Sequence, residues 1–161
     1  MRNFLIDLIY KNIRKNDFFL TADLGFSVLE KIKKKLKKNF LNLGVSENNM
    51  FLVAVGLANS LKKNKIYVYS ICSFLIIRSL EIIKNYISND SITNIRMIGV
   101  GSGASYNSMG KTHFSFDDLN AIYNYKGIII LNPSNFDELN FVFKKFNNIN
   151  QTIYYRINKN I

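Results

Sequence analysis

The chain has 161 residues, 48% of them apolar and 14% aromatic, enough for one domain with a hydrophobic core and too apolar for a disordered chain. No apolar run approaches the ~20 residues of a membrane helix, and Cys72 is the only cysteine, which excludes an internal disulfide and a cysteine-rich zinc site and fits a reducing cytoplasm. The net charge of +11 raises nucleic-acid binding, but a composition dominated by Asn, Ile and Lys, with one Pro and no Trp, is what an A/T-rich coding sequence produces whatever the function, so neither a nucleic-acid nor a membrane partner is expected.

In chain order, a helical segment at 3–15 comes first, and Asp7 interrupts the apolar stretch that a secretory signal would need. Short β-rich runs follow at 18–20, 40–43, 66–69, 95–98, 128–131 and 153–155, each too short for a core helix. Between them lie helix-length segments at 26–38, 47–62, 74–88, 117–124 and 135–146. In the first of these, Leu29, Ile32 and Leu36 recur at helical spacing, so the lysines of 31–38 read as its solvated side. Ser46 or Glu47 can cap the helix after Gly44, and Ser134 stands three residues before Asp137 as a second capping residue. The expected fold class is therefore α/β: six mostly parallel strands with helices on both faces, in one domain over 1–161 with a core of about 17–156 behind an N-terminal helix (1–16). Such sheets place ligands at the carboxyl ends of their strands.

The longest stretch without helix or strand signals runs from Val100 to Ser115, a length that in a compact domain usually serves a function. Gly99, Gly101 and Gly103 follow a strand there, but the third glycine of a dinucleotide loop is missing and no helix starts. There is no P-loop, no histidine pair for a metal and no nucleophile elbow. His113, the single histidine, lies in this stretch, flanked by Gly110 and Thr112 rather than by an apolar stripe. Glu47 opens an otherwise apolar helix, where a carboxylate is commonly a partner for the helix dipole; its position after a strand, at the carboxyl end of the sheet, adds a ligand role.

Five landmarks occur in order: Leu20-Thr21-Ala22-Asp23-Leu24-Gly25; Asn42 to Met50 with Ala54 to Ala58; Ser73-Phe74-Leu75-Ile76-Ile77-Arg78 with Glu81; Gly110-Lys111-Thr112-His113; and Asn132-Pro133-Ser134 with Glu138. Over about 17–156 this succession resembles the pyrimidine-binding domain of the transketolase family. The resemblance implies a three-layer α/β/α fold and thiamine diphosphate as cofactor. It places Glu47 against the aminopyrimidine N1′ as the catalytic carboxyl, a proton exchange that a dry cleft suits. Phe74 would pack on the aminopyrimidine ring, Asp23 would lie near the cofactor, His113 would meet substrate oxygens and contribute to catalysis, and Arg78 would bind substrate.

Three positions depart from the family pattern. Asn48 follows the glutamate, Met109 precedes Gly110 where the family often has Asp-Gly, and Ile77 replaces one of two arginines beside Arg78, removing positive charge that sugar-phosphate substrates need. The motif that holds magnesium and diphosphate is absent, so the resemblance implies a partner chain that supplies it, in a heterotetramer. The expected function is one subunit of a split transketolase-like transferase in carbohydrate metabolism, moving a two-carbon ketol or acyl unit between carbonyl or sugar substrates and active only with that partner. The alternative is a catalytically retired domain kept as a regulatory or structural binding subunit.

Overall fold

A computed structural model describes residues 1–88 and 94–159. The elements are α1 (Arg2–Asn12), β1 (Phe18–Thr21), α2 (Glu30–Leu36), β2 (Phe40–Asn42), α3 (Glu47–Ser60), β3 (Ile66–Ile71), α4 (Cys72–Ile77), α5 (Leu80–Ile82), β4 (Ile95–Val100), α6 (Asp118–Ile122), β5 (Ile128–Leu131), α7 (Phe136–Phe146) and β6 (Thr152–Ile157). The described strands form one sheet in the order β2-β1-β3-β4-β6-β5, with every pair parallel.

Alternation along the strands builds the two outer layers. Tyr67 and Tyr69 of β3, Ile98 of β4, and Ile153 and Tyr155 of β6 pack with α1, α2 and α7. Ile66, Val68, Ile95, Met97 and Tyr154 face the other way onto α3, α4, α5 and α6. Because both faces are covered, the central strands β3 and β4 are buried along their whole length and apolar but for Ser70, Arg96 and the small Gly99, close to what the sequence pattern indicates. The expected three-layer α/β/α architecture with a parallel six-stranded sheet is the one observed.

The chain leaves β1 toward β2 on one side and reaches β3 on the other, so the strand order reverses between β1 and β3. A crevice at the carboxyl ends of the sheet opens at such a point. The segments after β2 and β3 carry Glu47 and Phe74 there.

Three local differences from the sequence reading have physical causes. The helix expected from Phe26 starts at Glu30, because Gly25 and Ser27 have φ of 90° and 62°, and the Glu30 carboxylate accepts from Ser27 N at 2.7 Å. The helix expected over 74–88 breaks after Ile77 and resumes at α5, which runs into a π-helical segment at Ile83–Ile87. At α7 the cap is Asn135, whose side chain accepts from Glu138 N at 2.9 Å, while Ser134 donates through N and Oγ to the Glu138 carboxylate.

The Val100–Ser115 stretch is held at its base. Gly103 and Ser115 exchange backbone hydrogen bonds of 3.0 and 2.8 Å, and short 3₁₀ turns occupy Asn107–Met109 and Lys111–His113. Gly101 permits the exit from β4: its φ is 78°, and a Cβ there would lie 2.0 Å from Cε2 of Tyr106. Gly101→Ala is expected to cost about 2 kcal/mol or more, read as a lower urea midpoint with unchanged slope.

Candidate functional site

Glu47 stands at the carboxyl end of the sheet as the first residue of α3, and it is 2% exposed. A carboxylate so deeply buried must be paired. Its Oε1 accepts from Ser70 Oγ at 3.0 Å, at the end of β3, and its Oε2 accepts from Arg78 Nη1 at 2.8 Å. Both oxygens are thus engaged by groups of the chain itself.

Arg78 follows directly on α4, where the helix breaks. The guanidinium lies over the Phe74 ring at 3.8 Å from its centroid while donating to Glu47. A planar cation stacked on an aromatic face and hydrogen-bonded at its edge gains from both contacts, about 0.5–2 kcal/mol from the stacking alone. Asn48 Nδ2 donates to the Arg78 carbonyl at 3.3 Å, so the residue after the glutamate also helps to hold this arginine.

His113 completes the cluster. Its ring stands edge-on to Phe74 at 4.9 Å, and Thr112 Oγ1 is 3.1 Å from His113 Nδ1. The wall carrying it is tied to α4 by Ser73 N, which donates to Ser115 Oγ at 3.1 Å. The structure therefore brings Glu47, Arg78, Phe74 and His113 into one row. Asp23 lies outside it: exposed, with φ of 55°, it donates through N to Asn42 Oδ1 at 2.9 Å and accepts from Asn42 Nδ2 at 3.1 Å.

Below the row, Asp118 is fully buried and accepts from Tyr154 OH and from Arg156 Nε, both at 2.8 Å. Arg156 also donates to the Ser115 carbonyl at 2.6 Å, so the same ion pair anchors the His113 wall. Burial and the neighbouring Cys72 and Asp118 push the Tyr154 hydroxyl well above its ordinary pKa, which keeps it a neutral donor. The Cys72 thiol is pushed up to about 12, first by burial, so it is no thiolate nucleophile at neutral pH.

Sequence reasoning missed Ser70, which reads as one more buried strand residue, and it assigned Arg78 to substrate without its bond to Glu47. A spacing of 31 residues carries no local signal for that bond.

A family model described as the transketolase pyrimidine-binding domain matches residues 12–156. An apulose-4-phosphate transketolase subunit of Phocaeicola vulgatus is 28% identical over 141 residues, covering 87% of this chain and 44% of that protein. A split-gene transketolase solved as an inactive beta4 tetramer superposes with a TM-score of 0.74 at 23% identity, over 98% of this chain and 49% of that one. Transketolase of Pichia stipitis in complex with sedoheptulose 7-phosphate superposes with a TM-score of 0.81 at 17% identity, over 98% of this chain and 25% of that one. The chain spans about half the length, or less, of the relatives it matches.

The expectation of an active two-carbon transferase subunit in carbohydrate metabolism is corrected here. The solved split-gene relative is an inactive tetramer. In this chain, moreover, the residues that the resemblance gives to the aminopyrimidine do not fit that ring as they stand, since Arg78 already covers Phe74 and binds Glu47.

Proposed function

Since the chain belongs to the transketolase pyrimidine-binding domain family, we propose that it is a catalytically retired member, acting as a structural or regulatory binding subunit in a transketolase-type assembly. The observation that carries this reading is Arg78, which occupies the place a flat heteroaromatic ring would need: stacked on Phe74 at 3.8 Å and bonded to Glu47 at 2.8 Å. A guanidinium offers edge donors and a planar face, the two features with which an aminopyrimidine would engage the same pair. Binding of thiamine diphosphate through this chain would first have to displace an ion pair whose carboxylate is buried, leaving an unpaired charge.

The partner is a diphosphate-binding transketolase-like chain, in a heterotetramer, docked at the carboxyl end of the sheet. Supporting this, Phe26, Val45, Ile77, Met109 and Phe116 are 46–75% exposed, and all lie in segments that follow the carboxyl ends of β1 to β4. Exposed apolar groups gathered on one end of a domain mark an interaction face. The relatives named as transketolase subunits are consistent with such an arrangement. Among the described residues no helix is long and apolar enough to cross a membrane.

The test is co-purification with a diphosphate-binding transketolase chain. Val45→Glu with Met109→Glu is expected to weaken association by about tenfold or more while leaving the melting temperature within a few degrees, because both side chains face solvent in the free chain. Association that survives both charges would move the docking face elsewhere.

A further inference from the structure

At the other end of the sheet from Glu47, where β1, β3, β4 and β6 begin, a cavity of about 300 Å³ is lined by Arg14, Lys62, Lys63, Lys65 and Arg96. Neither the resemblance nor the docking face accounts for it. Its construction turns negative charge and acceptors away from the opening. Asp17 is fully buried and takes Arg14 Nη2 at 2.8 Å and Lys65 N at 2.9 Å, which ties the loop before β1 to the start of β3. The Lys63 carbonyl is taken by Arg14 and the Asn64 carbonyl by Asn94. Arg96 draws in the carbonyls of Gln151 and Ile149, each at 2.8 Å.

The three lysines face the space beside Arg14, which keeps its pairing with Asp17, together with side-chain amides, and no Asp or Glu among the described residues lines it. Lys65 is half-buried there and donates to a neutral acceptor, Asn148 Oδ1, at 2.8 Å. We infer that this cavity binds a small phosphate-bearing anion, with half-buried Lys65 on its inner side and the exposed Arg14, Lys62 and Lys63 at its mouth. A volume at the lower end of the range of small-molecule sites suits a phosphate ester head or a short polyphosphate. Nucleic acid would instead call for an extended basic stripe, and the densest lysine run, on α2, contributes nothing to this lining.

The electrostatics agree. Burial, then Arg96, lowers the Lys65 pKa to about 8, with Asp17 opposing and Arg14 adding to the shift. Lys62 and Lys63 are the remaining charged groups at the opening. A bound anion would favour the protonated lysine, so binding takes up a proton and weakens as the pH rises through about 8.

Calorimetric titration of the full chain with tripolyphosphate, and with inorganic phosphate, tests the site. Stoichiometric tripolyphosphate binding at pH ~7 is expected, weakened by about tenfold or more in Lys62→Gln/Lys63→Gln and by less than about twofold in the control Lys34→Gln/Lys38→Gln, all four being exposed lysines. Between pH ~7 and ~9 the affinity should fall by about tenfold. Lack of binding, equal loss in the control, or a pH-independent affinity would overturn the assignment. So would a short DNA duplex binding more tightly than tripolyphosphate, since that marks a nucleic-acid face.

Discussion

Arg78→Ala is expected to raise the affinity of the chain for thiamine by about tenfold or more. The substitution removes the guanidinium from the Phe74 face and frees Glu47 Oε2, leaving an aromatic wall and a buried carboxylate facing one gap. That gap is shaped for a flat ring with donors at its edge. The same change should lower stability by about 1–3 kcal/mol, since a buried acceptor loses a charge-assisted bond while Arg78, almost half exposed, loses little of its own solvation. A double-mutant cycle with Glu47→Gln separates the two effects: if the pair acts as described, most of the stability loss disappears in the double variant, and the thiamine binding disappears with it. Additive losses would mean that Arg78 and Glu47 are neighbours without energetic coupling.

The largest stability effect is expected at Asp118. Asp118→Ala strands Arg156, 11% exposed, and the Tyr154 hydroxyl, fully buried, in one step. Breaking a buried pair by removing one partner costs about 3–5 kcal/mol, most of it the desolvation of the charge left behind. Arg156 also holds the Ser115 carbonyl and, through Nη1, Asn132 Oδ1 at 3.2 Å, so the loss should spread to the His113 wall and to the turn after β5. Urea denaturation gives the total, and amide exchange around Ser115 locates it. A loss below about 1 kcal/mol would show that Arg156 finds other partners.

The fold was legible because the constraint is repeated. Each strand is a short apolar run, each helix repeats at its own spacing, and their alternation leaves a parallel covered sheet as the economical solution. What failed locally failed where one residue overrides the pattern: the left-handed backbone at Gly25 and Ser27 delays α2, and Asn135 takes the cap that Ser134 was expected to supply. The cluster after β2, β3 and β4 was legible only in part: Ser70 was missed, Asp23 lies apart, and the relations among the others carried no local signal. Glu47, Phe74, Arg78 and His113 can be picked out along the chain, yet which of them pairs with which depends on how the loops after β2, β3 and β4 converge. The arginine that the resemblance gave to substrate turned out to be the partner of the glutamate given to the cofactor. The basic cavity escaped for the same reason, its lysines and arginines coming from separate segments of the chain.

Retirement of the site is tested most directly by single-turnover cleavage of a minimal two-carbon donor, hydroxypyruvate. The chain is assembled with a diphosphate-binding transketolase chain at saturating thiamine diphosphate and magnesium. With Arg78 seated between Glu47 and Phe74, the assembly should cleave no faster than the partner alone. Cleavage well above that level, lost on Glu47→Gln, would contradict the retired reading.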